Sequence, residues 1–397
     1  MKNVLSAAVF ASLISLPVFA GNHSGDVRLG IALGFTGPAE SLAASMAAGA
    51  ELAMDEVSKS GLLLGGSKVT SARADSTCVD AAAAASAAER LIASEKVDAI
   101  VGALCSGATI SILQNVAMPN GVVLFSPSAT SPALSTLEDN GYFFRSSPSD
   151  ARQGQVIAEM LIEKGYKSIA MTYTNNDYGK GLSDSIEKNY AAAGGKITIN
   201  IPHEDGKGDY GAEVGALAQA GGDILVVAGY LDQGGKGIIQ SSLDAGAFDH
   251  FFLPDAMIGE SLTSAIGADL NGSIGTVPGT DSSGSKTYQE MAKAAGFKAG
   301  PYSDYSYDAA AMTLLAMQAA GSKDSKVFKN HVFEIANSPG KKIYPGQLAE
   351  GLKILRDGGK IDYVGATNVE LIGAGESAGS YREVLVKEQQ NTTVRYR

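Results

Sequence analysis

The chain has 397 residues, with 31 Lys or Arg, 42 Asp or Glu and no Trp, and its formal net charge is −11. An acidic chain without blocks of basic residues is a poor binder of nucleic acid or anionic lipid, so both partner classes are excluded. The absence of Trp argues against a sugar-binding site, because such sites often stack a sugar ring on an aromatic face.

Residues 1–20 are typical of a cleaved secretory signal. Lys2 supplies the positive charge, residues 4–16 form the apolar stretch, and Val-Phe-Ala at 18–20 forms a small-residue cleavage site. The apolar stretch is shorter than the roughly 18–20 residues that span a bilayer, which disfavours a membrane anchor. The residue directly after the cleavage site is Gly21 and not a cysteine, so a lipid anchor at the mature N-terminus is not supported. We therefore expect an exported protein of the bacterial periplasm.

The first part of the exported chain alternates between strand and helix patterns, which is typical of parallel α/β architecture. Strands are predicted over residues 27–33, 68–74, 97–104 and 122–125, with helices over 41–58 and 79–94. The Ala-rich run at 81–85 belongs to the second helix, because Ala is the best helix former.

A second run of the same kind begins near Asp150. Its predicted helices cover residues 151–164, 178–193, 209–220 and 232–245, and its strands cover 168–172, 197–201, 224–228 and 251–253. Residues 272–284 are rich in Gly, Ser and Thr and predict a hinge. Later helices are predicted over 285–296, 304–320, 327–336 and 347–357, and final strands over 368–372 and 381–387.

This order predicts an α/β protein of two doubly wound parallel-sheet lobes joined by a three-strand hinge. The crossings are expected near residues 144–148, 276–281 and 360–364. Lobe 1 is then 24–146 plus 279–360, and lobe 2 is 147–278 plus 361–390. Three crossing segments bend as a unit and can trap a ligand between the lobes. The alternative is two domains that follow one another along the chain and are joined by a single linker.

Two of the predicted strands run straight into short turns rich in hydroxyl groups. Strand 97–104 leads into Cys105 and Ser106, and strand 122–125 leads into the turn at residues 126–130. Parallel strands end at the same sheet edge, where open α/β folds bind ligands. Ser106 and the N–H groups beside it suit a carboxylate, whereas the Thr130 hydroxyl and bare carbonyls of the second turn suit an ammonium. The two turns together predict a receptor for a small zwitterion, although simple helix capping remains the alternative.

The two cysteines, Cys78 and Cys105, each follow a predicted strand. An even pair in an oxidising compartment predicts one disulfide, with two buried thiols as the alternative. A metal site is disfavoured because no His lies near either cysteine in the sequence. A bridge at Cys105 would also hold the turn that carries Ser106.

Several short motifs together resemble one protein family. They are Gly34-Phe35-Thr36-Gly37-Pro38, Asp75 with Cys78, the runs 101–106 and 126–130, Phe144-Arg145, and the run 176–181. The chain is similar to type I periplasmic solute-binding proteins, in the branch that includes the leucine/isoleucine/valine-binding protein. The resemblance covers nearly all of the exported chain, and the order and spacing of the motifs carry it.

The resemblance implies a role for particular residues. The ligand carboxylate is expected on Ser106 and on the hydroxyl and backbone of Thr130. The ammonium is expected on the Ser128 carbonyl, the Thr130 hydroxyl and Asp255 from the second lobe. The family commonly has Glu at the last position, so the shorter Asp moves the ammonium or admits a water.

Aromatic and apolar side chains are expected around the rest of the ligand. By resemblance, Tyr178 and Tyr230 close over it from the second lobe. Leu42 stands where branched-chain binders commonly carry an aromatic that walls the side-chain pocket, so a branched-chain preference is not assured. Phe35, Tyr173 and the region 302–305 are further candidates for this pocket, and Arg145 is expected to brace the hinge.

No motif predicts an enzyme. A Gly-x-Ser-x-Gly elbow and metal-ligand spacings are absent from the sequence, and Gly234-Gly235-Lys236-Gly237 lacks the spacing of a phosphate loop. We therefore expect no cofactor and no catalysis. The expected function is that of a monomeric substrate-binding protein for an amino acid, working with an ABC permease and its ATPase. A sensory receptor of the same fold, or a transporter receptor for an amide, urea or aromatic acid, remains the alternative.

Overall fold

The structure is a computed structural model that describes residues 25–337, 339–373 and 375–397, so the predicted signal at 1–20 lies outside it. The strands are β1 Val27–Leu33, β2 Val69–Asp75, β3 Ala99–Gly102, β4 Val123–Ser126, β5 Phe143–Arg145, β6 Ser168–Thr174, β7 Lys196–His203, β8 Ile224–Ala228, β9 Phe251–Leu253, β10 Ile274–Pro278, β11 Lys341–Ile343, β12 Ile361–Tyr363, β13 Leu371–Ile372, β14 Glu376–Ser377, β15 Tyr381–Lys387 and β16 Gln390–Tyr396.

The helices alternate with these strands through most of the chain. They are α1 Glu40–Ser60, α2 Ala81–Ala93, α3 Ser106–Ile112, α4 Met118–Asn120, α5 Asp150–Glu163, α6 Asp177–Ala192, α7 Gly211–Ala220, α8 Gly234–Asp244, α9 Glu260–Ile266, α10 Ser283–Ala294, α11 Ser303–Ala320, α12 Ser325–Phe328, α13 Val332–Asn337 and α14 Leu348–Arg356. A π-helical turn at Leu113–Ala117 joins α3 to α4.

Two seven-stranded sheets form the two lobes, as the sequence predicts. The first sheet has the order β13-β14-β5-β4-β3-β1-β2, and the second has the order β16-β15-β10-β9-β8-β6-β7. Neighbouring strands from β1 to β5 and from β6 to β10 pair in parallel, and antiparallel pairs occur at the edges that carry β13 and β15. The carboxyl ends of β3 and β4 lie side by side, which brings the two hydroxyl-rich turns together.

The core of the first lobe is built around α11, which is buried along nearly its whole length and packs against α1. Gly49 makes this close approach possible, because a Cβ at that position would lie 2.0 Å from the Ser303 carbonyl oxygen. A helix without a polar face has to be covered on all sides, and α11 is covered by the sheet, α1 and α14.

The segment at residues 272–284, expected to be a hinge, contains β10, an interior strand of the second sheet. Its residues are buried, and Gly275 lets the strand lie close to β9, since a Cβ there would stand 2.2 Å from the Leu253 carbonyl oxygen. The Gly-rich composition therefore reflects tight strand packing as well as a crossing. The chain then leaves the second lobe between Pro278 and Ser283.

The third crossing comes later than the predicted position at residues 360–364. β12 pairs with β11, while β13 and β14 join the edge of the first sheet, so the chain enters the second lobe between Ser377 and Tyr381. Asp308 of α11 holds this stretch in the first lobe by accepting hydrogen bonds from the Ala366 and Thr367 N–H groups, both at 2.9 Å. Such backbone contacts leave no periodic pattern in the sequence.

Candidate functional site

The two turns that follow β3 and β4 are tied to each other by serine hydroxyls. Ser126 donates a hydrogen bond to the Ala103 carbonyl at 2.7 Å and accepts one from the Ala129 N–H at 2.9 Å. Ser128 donates to the Leu104 carbonyl at 2.8 Å. The hydroxyl of Ser128 therefore holds the turn in place. The ligand contact expected at this residue is its carbonyl group.

Arg145 supports the turn that follows β4 through hydrogen bonds to its backbone. Its guanidinium is buried and donates to the Ala129 and Ser131 carbonyls, both at 2.9 Å. It also forms an ion pair with Glu376 on β14. These contacts fix the backbone on either side of Thr130, whereas the expected role of Arg145 was to brace the hinge.

Ser106 and Thr130 offer hydroxyl groups to the interior of the cleft. Ser106 Oγ accepts a hydrogen bond from the Ser131 N–H at 3.1 Å, which leaves its proton for another acceptor. Thr130 is fully buried, and its Oγ1 has no hydrogen-bond partner among the described residues. A buried hydroxyl without a partner is costly and marks a place where a ligand atom can bind.

The predicted disulfide between Cys78 and Cys105 is present, with the two Cα atoms 5.2 Å apart. Cys105 is the N-cap residue of α3, which begins at Ser106. The bridge thus ties the Ser106 turn to the loop after β2, and it confirms the sequence prediction.

Asp255 enters the site from the second lobe. It begins a short 3-10 turn after β9 and Pro254, and only 2 % of it is exposed. Tyr178 donates a hydrogen bond to its Oδ1 at 2.7 Å, and Tyr302 donates to its Oδ2. Burial raises the pKa of Asp255, while the hydrogen bonds from the two phenols lower it.

The two tyrosines predicted to cover the ligand stack on each other. The rings of Tyr178 and Tyr230 lie with their centroids 5.2 Å apart, and both side chains are buried. Asn176 caps α6 by accepting from the Tyr178 N–H at 3.1 Å, which fixes where this ring enters the cleft. Burial and the nearby acids hold the pKa of both phenols well above the usual range, so both remain donors.

A second acid, Asp150, stands beside Asp255. It is the first residue of α5, its N–H donates to the Thr130 carbonyl at 2.8 Å, and it is fully buried. Neither carboxylate oxygen has a hydrogen-bond partner among the described residues. Burial raises the pKa of Asp150 well above its usual range and the Asp255 carboxylate raises it further, whereas Thr130 and Arg145 act in the opposite direction.

The lobes are closed over these side chains. Asp232 of the second lobe donates its N–H to the Pro38 carbonyl at 3.0 Å and accepts from the Ser41 N–H at 2.9 Å, both in the first lobe. On the other side of the cleft, a Cβ at Gly181 would lie 2.8 Å from Pro132 Cδ. The cluster is therefore sealed from solvent by direct contact between the lobes.

The candidates for a side-chain pocket divide into two groups. Leu42 is buried at the lobe interface and lines a cavity of about 380 Å³ together with Ile258. Phe35 is half-buried, and the Arg73 guanidinium lies 5.8 Å from its ring centroid. The structure thus brings Leu42 against the second lobe and Phe35 against a charged side chain of its own lobe.

Sequence reasoning missed Asp150 and gave the Tyr302 phenol no specific partner. An acid at the start of a helix is usually explained by the helix dipole, so Asp150 gives no separate signal. Only its place at the first crossing between lobes could have drawn attention to it. Within the described residues no helix is long and apolar enough to cross a membrane, and no cluster of three or more acidic, His or Cys side chains could hold a metal.

Comparison with known proteins agrees with this architecture. A family model described as periplasmic binding protein matches residues 26–334. The Leu/Ile/Val-binding protein homolog 1 of Brucella melitensis biotype 1 is 31% identical over 328 residues, which are 81% of this chain and 85% of that protein.

Two solved structures show the same fold at low sequence identity. The leucine binding protein LivK of Thermotoga maritima MSB8 has a TM-score of 0.79 at 20% identity, covering 93% of this chain and 98% of its own. A solute binding protein of R. palustris in complex with benzoate has a TM-score of 0.76 at 16% identity, covering 94% of this chain and 96% of its own.

Proposed function

The chain belongs to the periplasmic binding protein family, and we propose on this premise that it is the substrate-binding protein of an ABC transporter for an amino acid or a close analogue. It acts in the periplasm as a monomer, closes its lobes over the ligand and delivers it to a membrane permease served by an ATPase. The protein itself catalyses no reaction. Ligand contacts to both lobes exist only in the closed form, so binding shifts the balance from open to closed.

The observation that supports this proposal most is the buried cluster to which both lobes contribute. Hydroxyl groups of Ser106 and Thr130 come from the first lobe, and the Asp255 carboxylate comes from the second. A buried zwitterion needs a partner for each of its charges, because an unpaired buried charge costs several kcal/mol or more. The cluster offers donors for a carboxylate and acceptors for an ammonium within one closed cleft.

In this proposal each predicted site residue has a role. Ser106 and the hydroxyl and backbone of Thr130 bind the ligand carboxylate. The Ser128 carbonyl, the Thr130 hydroxyl and Asp255 bind the ammonium. Tyr178 and Tyr230 cover the ligand from the second lobe, while Leu42 and Phe35 border its side chain.

The named relatives support a ligand of this class. The Brucella relative is named as a Leu/Ile/Val-binding protein homolog and the Thermotoga structure as a leucine binding protein. The R. palustris structure contains benzoate, which is an anion without an ammonium group. The two buried acids, Asp150 and Asp255, favour a ligand that carries an ammonium over benzoate, because a positive charge beside them would stabilise their ionised forms and benzoate supplies none.

Isothermal titration calorimetry with the twenty standard amino acids, benzoate and urea tests the proposal. The protein is first freed of co-purified ligand by unfolding in guanidinium chloride and refolding with the disulfide intact. We expect at least one amino acid to bind tightly and Asp255→Ala to abolish that binding while the protein stays folded. Tight binding of benzoate or urea alone, or no heat from any amino acid, would contradict the proposal.

A further inference from the structure

Asp150 is a buried acid of the cleft that lacks hydrogen-bond partners for its side chain among the described residues. Its side chain is fully buried, and both of its oxygens are without a hydrogen bond in the part of the chain that the structure describes. Buried carboxylates are normally paired or hydrogen-bonded, because the desolvation cost is otherwise uncompensated. The position needs a partner that the described side chains do not supply.

The groups around Asp150 act on it in opposite directions: Asp255 raises its pKa, whereas the Thr130 hydroxyl and the Arg145 guanidinium lower it. Thr130 Oγ1 and Gln153 Oε1 are also buried and without a partner, and Asp255 adds a second negative charge. Gln153 lies one turn after Asp150 on α5, and its amide donates to Thr276 Oγ1 at 3.1 Å. Both Asp150 oxygens are without a hydrogen bond among the described residues, and Asp255 is a second buried acid beside them, so a ligand group that is both a donor and a cation would suit this place.

Arg145 does not supply that donor. Its two terminal nitrogens donate to the Ala129 and Ser131 carbonyls and to Ser135 and Glu376. Its charge lowers the pKa of Asp150, but Arg145 forms its ion pair with Glu376 and none of these hydrogen bonds goes to Asp150.

Asp255 differs from Asp150 in how its oxygens are used. Each Asp255 oxygen accepts a phenol hydrogen bond, from Tyr178 and from Tyr302. An incoming ammonium therefore finds its free acceptor on Asp150, while Asp255 contributes mainly charge and its remaining lone pairs.

We propose that Asp150 is the principal hydrogen-bond acceptor for the ligand's cationic group, with Asp255 on its other side. This inference rests on the proposed function and narrows the ligand class. The cationic group must carry at least two N–H donors, as a primary or secondary ammonium does, to satisfy both acids. A quaternary ammonium has no N–H and would leave the Asp150 oxygens unpaired.

The test compares Asp150→Asn with the wild-type protein, using the amino acid that binds most tightly in the calorimetric panel. Asn keeps the shape of Asp but removes the charge, so the affinity should fall about 30-fold or more, as expected for a lost hydrogen bond to a charged group. Asp98→Asn is the matched control, because Asp98 is a half-buried acid that precedes β3, at the sheet edge away from the cleft. It should bind within twofold of wild type.

Thermal unfolding without ligand separates a binding role from a structural one. Removing an unpaired buried charge beside Asp255 should leave Tm of ligand-free Asp150→Asn equal to wild type or higher. A lower Tm together with lost binding would assign Asp150 a structural role and overturn the inference. An affinity within threefold of wild type would also overturn it. That result is expected if Asp150 is protonated in the complex, because Asn replaces a neutral carboxyl group well.

A second measurement needs no variant. The N,N,N-trimethyl derivative of the same amino acid should not bind wild-type protein, and equal binding of the derivative would overturn the inference. If no amino acid binds wild-type protein, the proposed function itself fails, and this outcome differs from a failure at Asp150.

Discussion

Asp232 links the lobes at a point that does not touch the proposed ligand cluster. Its carboxylate accepts a hydrogen bond from the Ser41 N–H at 2.9 Å, in the first turn of the 21-residue helix α1. Its other oxygen accepts from the Ser261 hydroxyl within its own lobe. The contact with Ser41 forms only when the lobes close, so Asp232→Ala should weaken ligand binding by destabilising the closed state.

The size of this effect follows from the geometry. A hydrogen bond to a charged group contributes about 1.5–3 kcal/mol, and a carboxylate at a helix N-terminus adds a few tenths. Asp232 is half-buried, so solvent screening brings the expected loss to about 1–2 kcal/mol. The dissociation constant should therefore rise about 5- to 30-fold. The backbone bond from Asp232 to the Pro38 carbonyl survives the substitution.

Calorimetry on ligand-free Asp232→Ala and wild type measures this change directly. Ser41→Ala is the matched control, because the donor at Ser41 is the backbone N–H and the exposed side chain is dispensable. It should bind within twofold of wild type. An unchanged dissociation constant for Asp232→Ala, or an equal loss in Ser41→Ala, would refute the reasoning that closure is coupled to binding through this contact.

Three further predictions concern stability and closure. Cys105→Ser should lower the free energy of unfolding by about 3–4 kcal/mol in chemical denaturation, since the disulfide spans 27 residues; no loss would contradict a structural bridge. Burial lowers the pKa of His203 to about 4, from 6.5. Wild type should therefore lose about 3 kcal/mol of unfolding free energy as pH falls from about 6.5 to 4, and His203→Asn should lose that much less; parallel curves would contradict this. Gly181→Leu should hinder closure, because the added side chain would meet Pro132 of the other lobe, and overpacking of this kind costs about 1–3 kcal/mol. The affinity for the ligand should fall about 5- to 100-fold while Tm without ligand stays unchanged. The control Gly215→Leu, at an open position, should bind normally.

The sequence predicted those parts of the fold that leave a local pattern. β1, β8 and β9 have the predicted bounds, because apolar runs bounded by turn residues mark buried parallel strands. The pairing of Cys78 with Cys105 followed from an even number of cysteines in an exported chain.

The parts that escaped prediction depend on tertiary contacts. β16 is polar and largely exposed, and it is held on β15 by ladder hydrogen bonds and by ion pairs of Arg395 and Arg397 with Glu163 and Glu383. β14 has two residues, too few for any periodicity.

The candidate site divides in the same way. Ser106 and Thr130 follow strands, so their closeness could be expected from sheet topology alone. The role of Asp255 was predicted from a family resemblance. Its phenol partners, Tyr178 and Tyr302, belong to elements distant in sequence, so these contacts could not be predicted. Asp150 looks like an ordinary first-turn acid until the fold buries it against Asp255. The closeness of the two buried acids depends on the closed arrangement of the lobes, so no short stretch of sequence predicts it.

The most direct test of the account is a crystal structure of the protein purified without ligand removal, or soaked with the tightest binder. The account predicts a small molecule between the lobes, with carboxylate oxygens on Ser106 and Thr130 and a cationic nitrogen within hydrogen-bond distance of Asp255 and Asp150. A ligand without a cationic nitrogen, or one whose nitrogen points away from both acids, would contradict it.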